Sequence, residues 1–225
     1  MAFRRQFRDR RHAGALLAER LGHYAGKDAL ILGIPRGGVP VAAEVARRLN
    51  ADLDVVVARK LPAPGAPELA LGAVTANGGR YLNAHLIRNL RVSDAYLDAV
   101  IDEQMAEARR REGRLRGPYP VVPIQDCVVI VVDDGLATGA TMQAAVRSVR
   151  TRRPAHLVVA VPVGSQDACT ALRPEVDELV CLYTPEPFGA VGLYYQHFEP
   201  TDDAEVQQLL REARTRRTQP GVTAG

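Results

Sequence analysis

Two adjacent aspartates, Asp133 and Asp134, follow the run Val128-Val129-Ile130-Val131-Val132 and precede the loop Gly135-Leu136-Ala137-Thr138-Gly139-Ala140-Thr141. Carboxylates in that place can accept hydrogen bonds from sugar hydroxyls. A small-residue loop that opens a helix can offer backbone N–H groups and hydroxyls to a phosphate. The order apolar run, acidic pair, loop, helix therefore suits a ligand that is both sugar and phosphate. The plainer alternative is a buried strand with an acidic turn and a capping threonine. Two further stretches could join this chemistry. Pro35-Arg36-Gly37-Gly38 closes the apolar run from Asp28 to Ile34, and glycine there lets an anion approach the backbone closely. Arg59-Lys60 closes the run Leu53 to Ala58.

The elements that must position these residues follow from the periodicity. Apolar spacing predicts a helix over 11–25, a strand over 28–34, a helix over 39–49 and a strand over 53–58. Pro62, Pro64, Gly65 and Pro67 argue against regular structure in the next segment. Residues 60–68 are expected to be an irregular, mobile lid with Lys60 at its base. A strand over 69–74 turns at Asn77-Gly78-Gly79 into 80–83. Residues 84–116 read as helix in two pieces broken near Ser93 and ended by Gly117-Pro118. After the central strand at 128–132, a helix runs to about Arg152. A strand over 156–163, a helix over 166–172 capped by Ser165, and a strand over 178–183 complete the alternation. The aromatic-rich segment 184–198 could stack a flat base or seal the sheet edge, and sealing is the favoured reading. A last helix starts at Asp202, with Glu205 at capping-box spacing, and the tail from Thr215 is expected to be disordered. Strands alternating with helices indicate an α/β fold, a mostly parallel sheet with helices on both faces.

The segment Val128–Thr141 closely resembles the signature of type I phosphoribosyltransferases, which bind phosphoribosyl pyrophosphate (PRPP). Asp133, Asp134, Thr138, Gly139 and Thr141 fall on that pattern without gaps. The resemblance is strongest over residues 28–163. It implies a three-layer phosphoribosyltransferase-like fold with a small hood and a sheet ordered 3-2-1-4-5-6. One domain over 1–225 is expected, with its core at about 28–183, hood segments at 1–27 and 184–214, and a tail at 215–225. The implied reaction transfers 5-phosphoribose from PRPP to a nitrogen nucleophile such as a nucleobase, with release of pyrophosphate, as in purine or pyrimidine salvage. Asp133 and Asp134 would hold the ribose hydroxyls. Ala137, Thr138, Gly139, Ala140 and Thr141 would hold the 5-phosphate. Arg36, Gly37 and Gly38 would take the pyrophosphate, joined by Lys60 and Arg59. Arg36, Lys60, Asp133 and Asp134 are the expected catalytic set. Magnesium would arrive on PRPP, with no side chain as its direct ligand. Ala137 stands where enzymes acting on 6-oxopurines usually carry aspartate, so the loop looks more like that of adenine-type enzymes. A non-catalytic PRPP sensor, RNA-binding or not, would keep 133–141 without needing Arg36 or Lys60. An acidic pocket of the response-regulator kind would need no Thr-Gly-x-Thr loop.

With 225 residues and 47% hydrophobic content, the chain can bury a normal core. Its net charge is only +3, but arginines cluster at Arg4, Arg5, Arg8, Arg10 and Arg11 and again at Arg109, Arg110, Arg111, Arg114 and Arg116. Solvated helix ends are favoured here over a nucleic-acid surface. Cys127, Cys169 and Cys181 lack metal-ligand spacing and suit reduced thiols in the cytoplasm. The chain shows neither a membrane-length apolar stretch nor an apolar signal core, and membrane partners are not expected. A homodimer is compatible with the sequence.

Overall fold

Five β-branched residues in a row make β6 (Val128–Val132), the central strand of a five-stranded parallel sheet. The sheet also holds β1 (Leu30–Gly33), β2 (Asp52–Val55), β7 (His156–Val163) and β8 (Glu178–Tyr183). Its order is β2-β1-β6-β7-β8, and every pairing is parallel. Residues along β6 alternate between two cores, as the period of two in a strand requires. Ile130 and Val132 pack towards α1 (Arg10–Arg20), α2 (Gly38–Leu49) and α7 (Asp203–Thr218). Val129 and Val131 pack towards α5 (Ala140–Arg150) and α6 (Gln166–Leu172). Burial on both faces explains why these strands read as unbroken apolar runs. The structure, a computed structural model, describes residues 6–218.

The sheet order differs from the expected 3-2-1-4-5-6. Counted among the five parallel strands alone, it is 2-1-3-4-5. The chain leaving β2 does not add an outer parallel strand. Instead β3 (Ala58–Ala63), β4 (Ala66–Thr75) and β5 (Arg80–Leu82) form a separate antiparallel sheet. The switch point still falls between β1 and β6, where strand order reverses and ligand crevices form in such folds.

The expected irregular lid at 60–68 is therefore a β-hairpin. The prolines are accommodated because β3 is an edge strand and its register with β4 shifts around Pro62. Edges and bulges are where a strand tolerates proline. Pro67 lies outside the stretch of β4 that β5 pairs, so its missing N–H breaks no ladder there. Leu61, Ala63, Leu71 and Val74 form a small core with Val100 and Ile101 of α4 (Asp94–Arg116). The Tyr96 hydroxyl donates to the Pro62 carbonyl at 3.1 Å. The hairpin is anchored, and a loose lid over 60–68 is not what these residues make.

Residues 84–116 are two helices, α3 (Ala84–Asn89) and α4, separated where the sequence placed the break, with Ser93 capping the second. Ser165 caps α6, and the Asp202 carboxylate accepts from the Glu205 N–H at 2.8 Å at the head of α7. That last helix continues to Thr218, so 215–218 are helical; the rest of the tail expected to be disordered lies outside the described residues. Arg4 and Arg5 also lie outside them. The second arginine cluster is only partly a solvated helix end, since Arg109, Arg110 and Arg114 are exposed but Arg116 is not. Arg116 is buried against Asp54 and Glu112, Arg114 and Arg111 pair with Asp203, Arg110 pairs with Glu107, and Arg109 donates to the Ala76 carbonyl. Among the described residues no helix is long and apolar enough to cross a membrane.

Candidate functional site

The two loops that carry the candidate residues, far apart in sequence, meet at the carboxyl ends of β1 and β6. The Ile34 N–H donates to the Val132 carbonyl at 2.9 Å, which extends the β1–β6 ladder to the edge of the 35–38 loop. Gly38 packs so closely on Asp133 that a Cβ there would lie 2.8 Å from the Asp133 Cα, its Oδ1 and the Val132 carbonyl oxygen. A Cβ on Gly37 would overlap the Asp134 carboxylate. The close approach of the two loops thus requires both glycines. The Pro35–Arg36 peptide is cis, and the Arg36 side chain is exposed and makes no ion pair among the described residues.

The loop after Asp134 is tied to the neighbouring strand. The Leu136 N–H donates to the Val163 carbonyl, and the Ser165 N–H donates to the Leu136 carbonyl, both at 2.8 Å. The Ser165 hydroxyl donates to the Ala137 carbonyl at 2.7 Å. Gly139 then turns the chain into α5 with φ +78°, a left-handed conformation that favours glycine. No side chain caps α5, so the N–H groups of its first turn have no partner within the helix. Ala137 and Thr138 are exposed, and Ala140 and Thr141 are half-buried at the mouth. This is a row of donors beside two carboxylates, able to take a phosphate.

The carboxylates are unequal. The Asp134 N–H donates to Asp133 Oδ1 at 2.8 Å. Burial first, and then the charge of Asp134, push the Asp133 carboxyl well above the ordinary range for aspartate. Burial also raises Asp134, but Arg10 opposes the rise, bonded through Nε to Asp134 Oδ2 at 2.8 Å. The Tyr195 hydroxyl donates to the Asp134 carbonyl at 2.6 Å, and its own ionisation is pushed up by burial and by Asp134. Arg10 was not among the sequence candidates, and Tyr195 and Phe198 entered only as members of the aromatic segment 184–198. Arg10 sits in an N-terminal arginine cluster, and nothing in spacing distinguishes it from its neighbours.

The other basic candidates stand apart. Arg59 turns to α4, where its Nε donates to Gln104 at 3.2 Å. Lys60 is exposed on β3. Both lie on a strand that starts just beyond the carboxyl end of β2, on the same edge of the sheet as the two loops. The aromatic segment after β8 packs on itself and on Phe7: Tyr194 and Tyr195 are buried, with Tyr183, Phe188 and Phe198 around them. It packs over the ends of β7 and β8 through Val163, Leu182 and Tyr183. Among the described residues no group of three or more His, Cys, Asp or Glu side chains converges as a metal site.

The phosphoribosyl transferase domain family matches residues 8–196 of the chain. Two curated proteins of Mycobacterium tuberculosis, from strains CDC 1551 and H37Rv, are named as candidate phosphoribosyl transferases. Each is 45% identical over 207 residues, covering 92% of this chain and 47% of the relative. The chain thus spans about half the length of the curated relatives it matches. The crystal structure of TT1426 from Thermus thermophilus is 45% identical, with a TM-score of 0.78 over 92% of this chain and 98% of that one. A Neisseria gonorrhoeae protein solved with bound ppGpp shares the fold at 16% identity and a TM-score of 0.52, over 95% of this chain and 99% of that one. With most of its length inside the match and the two loops meeting at the switch point, the chain belongs to the phosphoribosyl transferase domain family.

Proposed function

We propose that the protein transfers 5-phosphoribose from PRPP to a nitrogen nucleophile of the nucleobase kind and releases pyrophosphate. The observation that carries this reading is the packing of Gly37 and Gly38 on Asp134 and Asp133. It sets an exposed arginine, a carboxylate pair and an uncapped helix start around one mouth. PRPP presents the matching groups in order: pyrophosphate, ribose hydroxyls and 5-phosphate.

In this reading the N–H groups and hydroxyls of 137–141 hold the 5-phosphate, and Asp133 and Asp134 accept from the ribose hydroxyls. Arg36 and the backbone of Gly37 and Gly38 receive the pyrophosphate. Displacement at the anomeric carbon passes through an oxocarbenium-like state, so the main tasks are positioning and stabilising the leaving charge. Arg36 suits the second task because no carboxylate among the described residues occupies it. Lys60 reaches the same group from the hairpin, and Arg59 supports it once released from Gln104. Two carboxylates without a third acidic or imidazole partner among the described residues fit an ion that arrives on the substrate. Magnesium, bound by PRPP oxygens and water, would screen the pyrophosphate charge. Ala137 leaves the acceptor side of the loop without a carboxylate, which disfavours 6-oxopurines. A cytoplasmic location fits this substrate.

The test is pyrophosphate release from PRPP and magnesium by the purified protein, measured against a panel of nucleobases, with PRPP binding followed by calorimetry. Turnover with one base supports the proposal. Binding without turnover would make the protein a PRPP sensor, and no binding at millimolar PRPP would remove the reading altogether.

A further inference from the structure

Arg10 is held on three sides. Its Nε donates to Asp134 Oδ2 at 2.8 Å, its Nη1 donates to the Glu199 carbonyl at 2.8 Å, and its Cζ lies 3.9 Å from the centroid of the Phe198 ring. Phe198 stacks in turn on Tyr195, with 4.9 Å between ring centroids, and Tyr195 bonds the Asp134 carbonyl. The arginine side chain is 12% exposed and the Asp134 side chain 16%. Three separate segments, the head of α1, the 133–134 turn and the 195–199 strap, close on this one carboxylate. Freezing an arginine costs rotamer entropy, so three matched contacts on one guanidinium mark a constrained position. On its other side Asp134 Oδ2 meets the backbone of Gly37, the second loop of the site.

We propose that Arg10 is a positioning residue of the PRPP site: it locks Asp134 against Gly37 and makes Asp134 the charged member of the carboxylate pair, without itself touching substrate. The inference rests on the reading under Proposed function for its ligand, but not for its geometry. Two adjoining carboxyls drawn out of water do not both ionise cheaply, and a fixed cation beside one of them decides which does. Among the described residues the groups in contact with the pair are few. Arg10 comes from α1, the Tyr195 hydroxyl from the C-terminal strap, and the 35–38 loop presents glycine backbone. Arg10 bonds Asp134 directly and acts on Asp133 only at longer range, and Asp133 is the one held well above the ordinary range. Binding of ribose hydroxyls needs an acceptor, so PRPP affinity should follow the charge of Asp134.

The test compares wild type with Arg10→Met and Arg10→Lys in two measurements. In ligand-free protein, aspartate carboxyl carbon shifts are followed by NMR across pH. Asp134 should titrate higher in Arg10→Met and return towards wild type in Arg10→Lys. By calorimetry with PRPP and magnesium, Arg10→Met should lose about tenfold or more in affinity at pH 6, the scale of one charged hydrogen bond, with a smaller loss at pH 8. Arg10→Lys should recover most of it. An unchanged Asp134 titration overturns the proposal, and so does an affinity loss equal at every pH and not rescued by lysine. If Arg10→Met does not fold, Arg10→Gln, which keeps a hydrogen-bond donor without the charge, takes its place: a raised Asp134 titration sustains the role of the charge, and an unchanged one overturns it. Wild-type protein that binds no PRPP overturns the functional reading, and the titration result then decides the Arg10–Asp134 lock by itself.

Discussion

Replacing Arg116 by methionine tests the most deeply buried charge network of the fold. Arg116 ends α4, and its Nε bonds both oxygens of Asp54 at 2.9 and 3.1 Å, while its Nη2 bonds Glu112 at 2.7 Å. The side chains of Arg116 and Asp54 are 9% and 2% exposed. Methionine keeps most of the apolar stem and removes the charge. Asp54 would retain the Val55 N–H at 2.8 Å, the Val122 N–H at 3.2 Å and Arg214 at 3.7 Å, but Glu112 would lose the cation bonded to it. Breaking a buried pair from one side costs ~3–5 kcal/mol, and the bonds left on Asp54 put the expected loss near the lower end, about 3 kcal/mol. For a chain of this size that is a fall in Tm of roughly 6–12 °C. Urea denaturation with an unchanged m-value would isolate the effect as lost stability. The double variant Asp54→Asn with Arg116→Met should recover part of the loss, since no unpaired charge remains on Asp54. A single Arg116→Met within about 1 kcal/mol of wild type would refute the reasoning and show that the buried network adds little to stability.

Three further outcomes are expected. Asp133 has its carboxyl raised in the folded state, so it contributes stability below the ordinary aspartate range that is lost as pH rises through the raised value. Asp133→Asn should therefore stabilise the fold at neutral pH, with the difference vanishing below about pH 4 in thermal melts across pH. Gly38→Ala should weaken PRPP binding and cost about 3 kcal/mol or more in denaturation, because a Cβ would overlap the Asp133 and Val132 backbone and force the two loops apart. Lys60→Ala should leave stability unchanged, since the side chain is exposed, and lower kcat more than PRPP affinity; a fall in affinity with kcat unchanged would place its contact in the ground state.

Much of this fold is written in local pattern. The runs at 128–132 and 156–163 could only be strands buried on both faces, and the loop glycines marked where the chain had to turn or be approached. Ser93, Ser165 and Asp202 announced helix starts that the structure places there. Such features depend on residues a few positions apart, so sequence carries them. The family signature, too, is one contiguous stretch. The hairpin at 58–75 was not legible in this way. Proline forbids a strand only when its missing N–H is needed, and whether Pro62 lies on an edge is a property of the assembled sheet. The sheet order was likewise undecidable from a list of strands, because the 58–82 segment pairs with itself instead of extending the parallel sheet.

The α/β alternation, the acidic pair and the glycine turns are present in the bare chain, since each follows from periodicity or from what one residue type allows its own backbone. Which arginines stay free is settled by folding. Arg10, Arg36 and Arg116 are chemically identical side chains. Arg10 is spent on Asp134, 124 positions away, Arg116 on Asp54, 62 positions away, and Arg36 on no carboxylate among the described residues. A charge is neutralised by what lies within a few ångströms in space, and a chain's spacing does not record that distance.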